Sequence, residues 1–214
     1  LLVMRAMTGG VMAARRRIAG LSLVELMVTI FVLAILASIA IPSFRSVMSR
    51  GDIANAINSL SADMQFARGQ AASQHRFVSI CRSTTGTECE QAESSPFDYD
   101  AGWIVYSYDV TADGADQEYS ADSKNMDILR YTAKIRGVSL RGTDGSIFTF
   151  NQTGEFVTSG TRTGLSFVAC ARKPGDPDDQ IGTNEEGRQG SLLTVRASGA
   201  ITVTPLPLTS SCFP

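Results

Sequence analysis

Histidine is nearly absent from this 214-residue chain: His75 stands alone, which argues against a multi-histidine metal site or a histidine-based catalytic centre. There is no Gly-rich phosphate loop, no H-E-x-x-H, no G-x-S-x-G and no paired-carboxylate signature, so enzymatic chemistry has no foothold in the sequence. No C-x-x-C or Cys/His pairing suggests zinc. Asp109, Asp113 and Asp116 sit close together but lack the spacing and closing Glu of a calcium loop. Excess positive charge is missing too. With 19 Lys+Arg against 21 Asp+Glu, the net charge of −2 excludes a globally basic nucleic-acid binder. Charged residues make up only 19% and hydrophobic ones 43%, a balance that excludes wholesale disorder.

What charge there is, is unevenly placed. Residues 1–20 carry four arginines and no acid, and Arg15, Arg16 and Arg17 directly precede an apolar run. That order holds the first twenty residues on the cytoplasmic side. From Leu21 to Ile41 only Ser22, Glu25, Thr29 and Ser38 are polar. A helix of this length rises about 32 Å at about 1.5 Å per residue, enough to cross a bilayer's hydrocarbon core.

Glu25 is the anomaly. A carboxylate at the bilayer centre costs roughly 2.5–3.5 kcal/mol on insertion scales, less near the interface. Either it snorkels to water or it pairs with a cation in an assembly of helices. The nearest candidate cation is a new amino terminus made by cutting after Gly20, one helical turn before the acid.

The stretch Gly20-Leu21-Ser22-Leu23-Val24-Glu25-Leu26-Met27-Val28, behind its basic leader, resembles the class III signal of type IV pilins and pseudopilins. Leu21 stands where Phe is commoner in that family, and Pro42 falls where the family places a helix-bending proline. The resemblance implies cleavage between Gly20 and Leu21 by a prepilin peptidase and N-methylation of Leu21. It also implies that Glu25 neutralises the terminal amine of a neighbouring subunit during assembly.

Beyond Pro42 the pattern stays helical. Ile53, Ile57, Leu60, Met64, Ala67 and Ala71 form one stripe, with Asp52, Asn58, Asp63 and Arg68 expected elsewhere on the surface. Gly51 and Gly69 are expected to loosen the rod. After about Gln74 the texture becomes short β-like runs, expected at 77–82, 103–108, 128–131, 134–140, 147–151, 165–171, 192–196 and 200–204. Asp144-Gly145, Thr153-Gly154 and Ser198-Gly199 read as hairpin turns. The acidic Pro/Gly-rich stretch 173–190 reads as a mobile loop.

The expected fold class is therefore α+β, pilin-like, with a long N-terminal membrane-spanning helix packed on a mostly antiparallel head. The expected organisation is a leader at 1–20, a membrane helix at 21–41, an amphipathic helix at 42–75 and a β-rich head at 76–214. Ala67-Arg68-Gly69-Gln70-Ala71 leading to Arg76-Phe77-Val78-Ser79-Ile80-Cys81, and Gly102-Trp103-Ile104-Val105-Tyr106, resemble GspH/FimT-type pseudopilins. That similarity implies a minor subunit that helps initiate or cap a type IV pilus, or its counterpart in a type II secretion system. It also implies residence in the inner membrane with the head in the periplasm, and other pilins or pseudopilins as partners. No cofactor is implied.

Cys81, Cys89, Cys170 and Cys212 all follow the apolar segment, and an even count beyond a bilayer points to disulfides. Of three connectivities the favoured one joins Cys81 to Cys89 and Cys170 to Cys212; isolated buried thiols are the alternative. Some FimT-like pilins bind DNA through a G-R-x-R motif, of which Gly187-Arg188-Gln189-Gly190 supplies only half. Arg172, Lys173, Arg188 and Arg196 would have to gather into a patch, opposed by Asp176, Asp178, Asp179, Glu185 and Glu186.

Overall fold

The computed structural model describes residues 22–90, 97–109, 114–145, 147–157 and 162–214, with the side chains of Pro42 and Ser43 outside the description. The leader, Gly20 and Leu21 lie outside these residues, as does Asp113. One helix, α1, runs Leu23–Gln74. The chain divides into two compact units at Pro42.

In the first unit the helix opens on Ser22. Its Oγ accepts the Glu25 N–H at 3.4 Å, and its carbonyl accepts the Leu26 N–H at 3.1 Å, which makes Ser22 the helix cap. The unit offers no buried face: Leu23, Met27, Phe31 and Leu33 are all more than 60% exposed. This stretch belongs to a helix long and apolar enough to cross a membrane.

In the second unit the helix is amphipathic. Ile53, Ile57, Leu60, Met64, Ala67 and Ala71 are all buried, as the spacing predicts. The helix ends because His75 takes φ 55, a left-handed turn more often given to Gly or Asn. The next residue, Arg76, ties that exit to the sheet: its guanidinium donates to Asp127 at 2.8 Å, to Ser107 Oγ at 3.0 Å and to the Asn125 carbonyl at 2.5 Å, and it pairs with Asp109 at 3.0 Å.

Nine strands follow among the described residues: β1 Phe77–Arg82, β2 Trp103–Tyr108, β3 Met126–Thr132, β4 Val138–Gly142, β5 Phe148–Phe150, β6 Phe156–Val157, β7 Gly164–Ala171, β8 Ser191–Arg196 and β9 Ile201–Pro205. They form two antiparallel sheets, of order β3-β2-β1-β5-β6 and β4-β7-β8-β9. The helical stripe and one face of each sheet share a core that includes Val78, Ile80, Trp103, Phe148, Leu140, Phe167 and Val195. The other face of the first sheet carries Cys81, Ile104, Tyr106 and Tyr108 under Cys89 and Tyr119. The other face of the second sheet carries Val168 and Cys170 under Leu206 and Cys212. Both faces are covered, so β2 and β4 are buried throughout and do not alternate. Disulfides join Cys81 to Cys89 and Cys170 to Cys212, and no described cysteine is free.

Several expectations change. The run expected at 134–140 begins only at Val138, because Gly137 turns at φ +74 and the Ile135 N–H is spent on the Asp100 carbonyl at 2.8 Å. Asp144-Gly145 makes no hairpin: β4 pairs with β7 and β5 with β1, so the chain there crosses between sheets. β6 is an additional strand of two residues. Asp63, expected on the surface, is 6% exposed. The stretch 173–190 is anchored: the Gly182 N–H donates to Ser139 Oγ at 2.8 Å and the Thr183 N–H to the Ala171 carbonyl at 2.9 Å.

The glycine turns at Thr153-Gly154 and Ser198-Gly199 do form, with φ +75 and +73. They meet over Arg68, whose Nη1 donates to the Gly199 carbonyl at 3.2 Å. A Cβ on Gly199 would stand 2.2 Å from the Gly154 carbonyl oxygen. Gly199→Ala is therefore expected to lower stability by more than the roughly 1–2 kcal/mol that a left-handed backbone costs an L-residue, read as a fall in the thermal midpoint of the full chain in detergent. Gly175→Ala, where nothing lies within 4 Å, serves as the milder reference.

Candidate assembly site and head surface

Within the first unit, polarity is handled locally. The Thr29 hydroxyl donates to the Leu26 carbonyl at 2.8 Å and Ser38 to the Ile35 carbonyl at 2.7 Å, so neither hydroxyl needs water or a partner. Glu25 differs. It lies in the first turn, where the helix dipole favours an anion. Residues 22–42 contain no Lys, Arg or His, so any full neutralising charge must come from outside that segment. What this arrangement does chemically is position one carboxylate near the start of an exposed apolar rod.

In the head, the ionisable groups act as ties. Asp63 projects from α1 into the sheet: Oδ2 accepts from the Trp103 indole N–H at 2.9 Å and the Thr132 hydroxyl at 2.8 Å, while Oδ1 accepts from Arg130 at 3.0 Å. The Arg130 guanidinium also lies 3.6 Å from the centroid of the Phe66 ring. A sequence signal for this burial existed, since position 63 falls between Leu60 and Ala67 on the edge of the apolar stripe.

A second tie is fully interior. Asp100 pairs with Arg141 through one oxygen and with Arg172 through the other at 2.6 Å, all three side chains being at most 2% exposed. The second positive charge is met by carbonyls. Arg141 donates to Asp179 O at 3.0 Å, and Arg172 to Gln180 O and Val138 O at 2.6 Å each. Burial lowers the Arg141 pKa, with Asp100 acting against it. These arginines hold the 179–180 backbone down, which is why the acidic stretch is not a free loop.

Three of the four cations named for a DNA surface are paired with acids. Arg172 is inside the protein. Lys173 pairs with Glu185 at 3.2 Å and Arg188 with the same carboxylate at 3.0 Å, while Arg196 is exposed at the end of β8. The structure gathers no basic patch from them. Asp109 and Asp116, two of the three acids of the loose calcium pattern, are occupied by Arg76 and Arg162, at 3.0 Å each. Among the described residues no group of three His, Cys, Asp or Glu side chains is arranged to hold a metal.

Among the described residues, a single exposed apolar helical stretch at the amino-terminal side, followed by an amphipathic one packed on antiparallel sheets, defines a pilin-like α+β protein. The family described as type II transport protein GspH matches residues 56–199, and the prokaryotic N-terminal methylation motif matches residues 15–41. The chain belongs to the GspH family. Among solved structures, the type IV minor pilin FimU of Pseudomonas aeruginosa (strain PAO1) is similar at 23% identity, over 76% of this chain and 96% of that one, with a TM-score of 0.47. The minor pseudopilin EpsH from the type 2 secretion system of Vibrio cholerae is similar at 12% identity, over 72% and 97%, with a TM-score of 0.36. No curated protein matches the chain.

Two predictions follow from the ties. Asp63→Ala leaves the buried Trp103 indole N–H without its acceptor, while the half-exposed Arg130 is free to hydrate, so the head is expected to lose about 1–3 kcal/mol, with loss of the near-ultraviolet signal of Trp103, the sole tryptophan. Asp63→Asn, which keeps an acceptor, should lose less. The other concerns acid. Burial works against the Glu90 carboxylate, but hydrogen bonds from Thr84 and the Arg82 guanidinium outweigh it, and its pKa falls below the ordinary 4.5. Its contribution is therefore full above pH 4.5 and is lost as pH falls through the lower folded value. Glu90→Gln should flatten the acid limb of a stability-against-pH curve between those limits.

Proposed function

We propose that this chain is a minor pilin or pseudopilin subunit with a structural role and no enzymatic one. In this reading a prepilin peptidase cuts between Gly20 and Leu21 and the new terminus is N-methylated. The span 21–41 then anchors the chain in the inner membrane with the head in the periplasm. Glu25 meets the terminal amine of an adjoining pilin-like subunit, and the head helps initiate or cap a type IV pilus.

The observation that carries this reading is the lone carboxylate of Glu25 in the first turn of α1, within a stretch, 23–41, that is exposed and otherwise apolar but for Thr29 and Ser38. Burying it among other helices without a cation would cost several kcal/mol, and a close ammonium offsets that cost. A subunit that docks out of register loses the pair and is penalised, so one charge pair sets the axial position. The corresponding role in a type II secretion system is the second reading, favoured by the family's description as a type II transport protein.

Deletion and complementation separate the two. Glu25→Ala and Glu25→Lys should both still insert in the membrane and assemble poorly, with Glu25→Lys worse because it sets two cations together. Loss of surface pili alone selects the pilus, and loss of secreted enzymes alone selects the secretion system. Normal incorporation of Glu25→Lys contradicts the pairing.

A further inference from the structure

The two sheets have four edge strands: β3, β6, β4 and β9. An edge with open N–H and C=O groups is a template for another strand, and proteins ordinarily blunt it. Three of these edges are blunted. β4 is buried throughout and covered by the segment that precedes β2: the Gly142 N–H donates to Phe97 O at 3.0 Å, the Leu140 N–H to Asp100 Oδ1 at 3.0 Å, and Asp98 bridges Arg141. β6 has two residues, and its Phe156 N–H is taken by Ala197 O at 3.0 Å. β3 carries Asp127 and Arg130 and bulges at Leu129, the extra residue between its pairings with Val105 and Tyr106.

Among the described residues β9 has none of these protections, apart from Pro205 at its end. Ile201-Thr202-Val203-Thr204 is uncharged and wholly β-branched, and positions 202–205 are exposed, Val203 at 46%. The hydrogen-bond phase is set at both ends, where the Arg196 N–H donates to Ala200 O at 3.0 Å and the Leu206 N–H to Gly190 O at 2.9 Å. Together with the register Thr194↔Thr202 and Leu192↔Thr204, this turns the even positions 200–206 toward β8. Ile201, Val203 and Pro205 therefore present their backbone groups outward.

We propose that β9 is a self-association edge, at which two copies of this chain pair antiparallel about Val203. Such a seam sets Val203 against Val203, Thr202 against Thr204 and Ile201 against Pro205. Val203 exchanges both its hydrogen bonds with its counterpart, and each Ile201 N–H reaches the facing Pro205 carbonyl. Pro205 has no N–H to give, so the seam stops there. Absence of charge matters most at Val203, the position that faces its own copy, where a charge would meet its like. The side-chain pairs are β-branched and threonine pairs of the favourable kind.

The area argument limits where the seam closes. One strand pair buries well under the roughly 1,000 Å² total of a stable interface. The two chains therefore pair only when held at high local concentration, as in a shared bilayer. This last step rests on the membrane reading above; the seam itself does not.

The test uses the full chain reconstituted in phosphatidylethanolamine/phosphatidylglycerol vesicles, with flotation reporting insertion separately. Hydrogen-bonded antiparallel partners stand about 5.5 Å apart at Cα, within disulfide reach. Val203→Cys should therefore form a linked dimer on mild oxidation, about tenfold more than Thr202→Cys, whose symmetric distance exceeds that reach. Val203→Pro removes the outward donor and no β8–β9 hydrogen bond, and should abolish energy transfer between labelled copies while the circular-dichroism spectrum is unchanged. Equal linking at 202 and 203, linking only to a different protein, or no linking in either floated or unfloated chain overturns the proposal.

Discussion

A helix that buries nothing of its own must be buried by something else, and that constraint governs the first unit. Residues 23–41 present apolar side chains on every side, and the two hydroxyls among them are bonded to their own backbone. Water is a poor surrounding for such a rod, whereas lipid or neighbouring rods of the same kind suit it. Glu25 then becomes meaningful because everything near it is apolar. A carboxylate in an ordinary surface helix would carry no positional information.

The second unit solves a different problem. Its helix has one apolar stripe, and two sheets rather than one supply the surface to cover it. Two buried acids then tie elements distant in sequence. Asp63 binds the helix to β2 and β3, and Asp100 binds β4 to the end of β7. Both acids have every oxygen engaged, which is the condition under which buried charge is tolerated. Disulfides sit on the two outer faces, where the apolar clusters are smaller and a covalent link supplements them.

Local physics made much of this legible in advance. The helical stripe from Ile53 to Ala71 is written in spacings of three and four, and the turns at Gly154 and Gly199 are written in residue type. Non-local physics was not legible. Whether Asp144-Gly145 closes a hairpin depends on β4 finding β7, more than twenty residues later, and on β5 finding β1. Arg172 looks like a surface cation until Asp100, 72 positions earlier, is placed beside it. The stretch 173–190 reads as loose because its composition is polar and rich in turn formers. The groups that hold it, Arg141 and Ser139, belong to another strand. For the site, Glu25 stood out because one acid in an apolar run is a local anomaly, whereas Asp63 and Asp100 are ordinary letters until the chain has folded.

The account turns on a new amino terminus appearing one helical turn before Glu25. Mass spectrometry of the chain recovered from native membranes tests this most directly. The account predicts a polypeptide that starts at Leu21 and carries one added methyl group on its terminal amine. A chain with residues 1–20 intact, or one that starts at any other position, would contradict it.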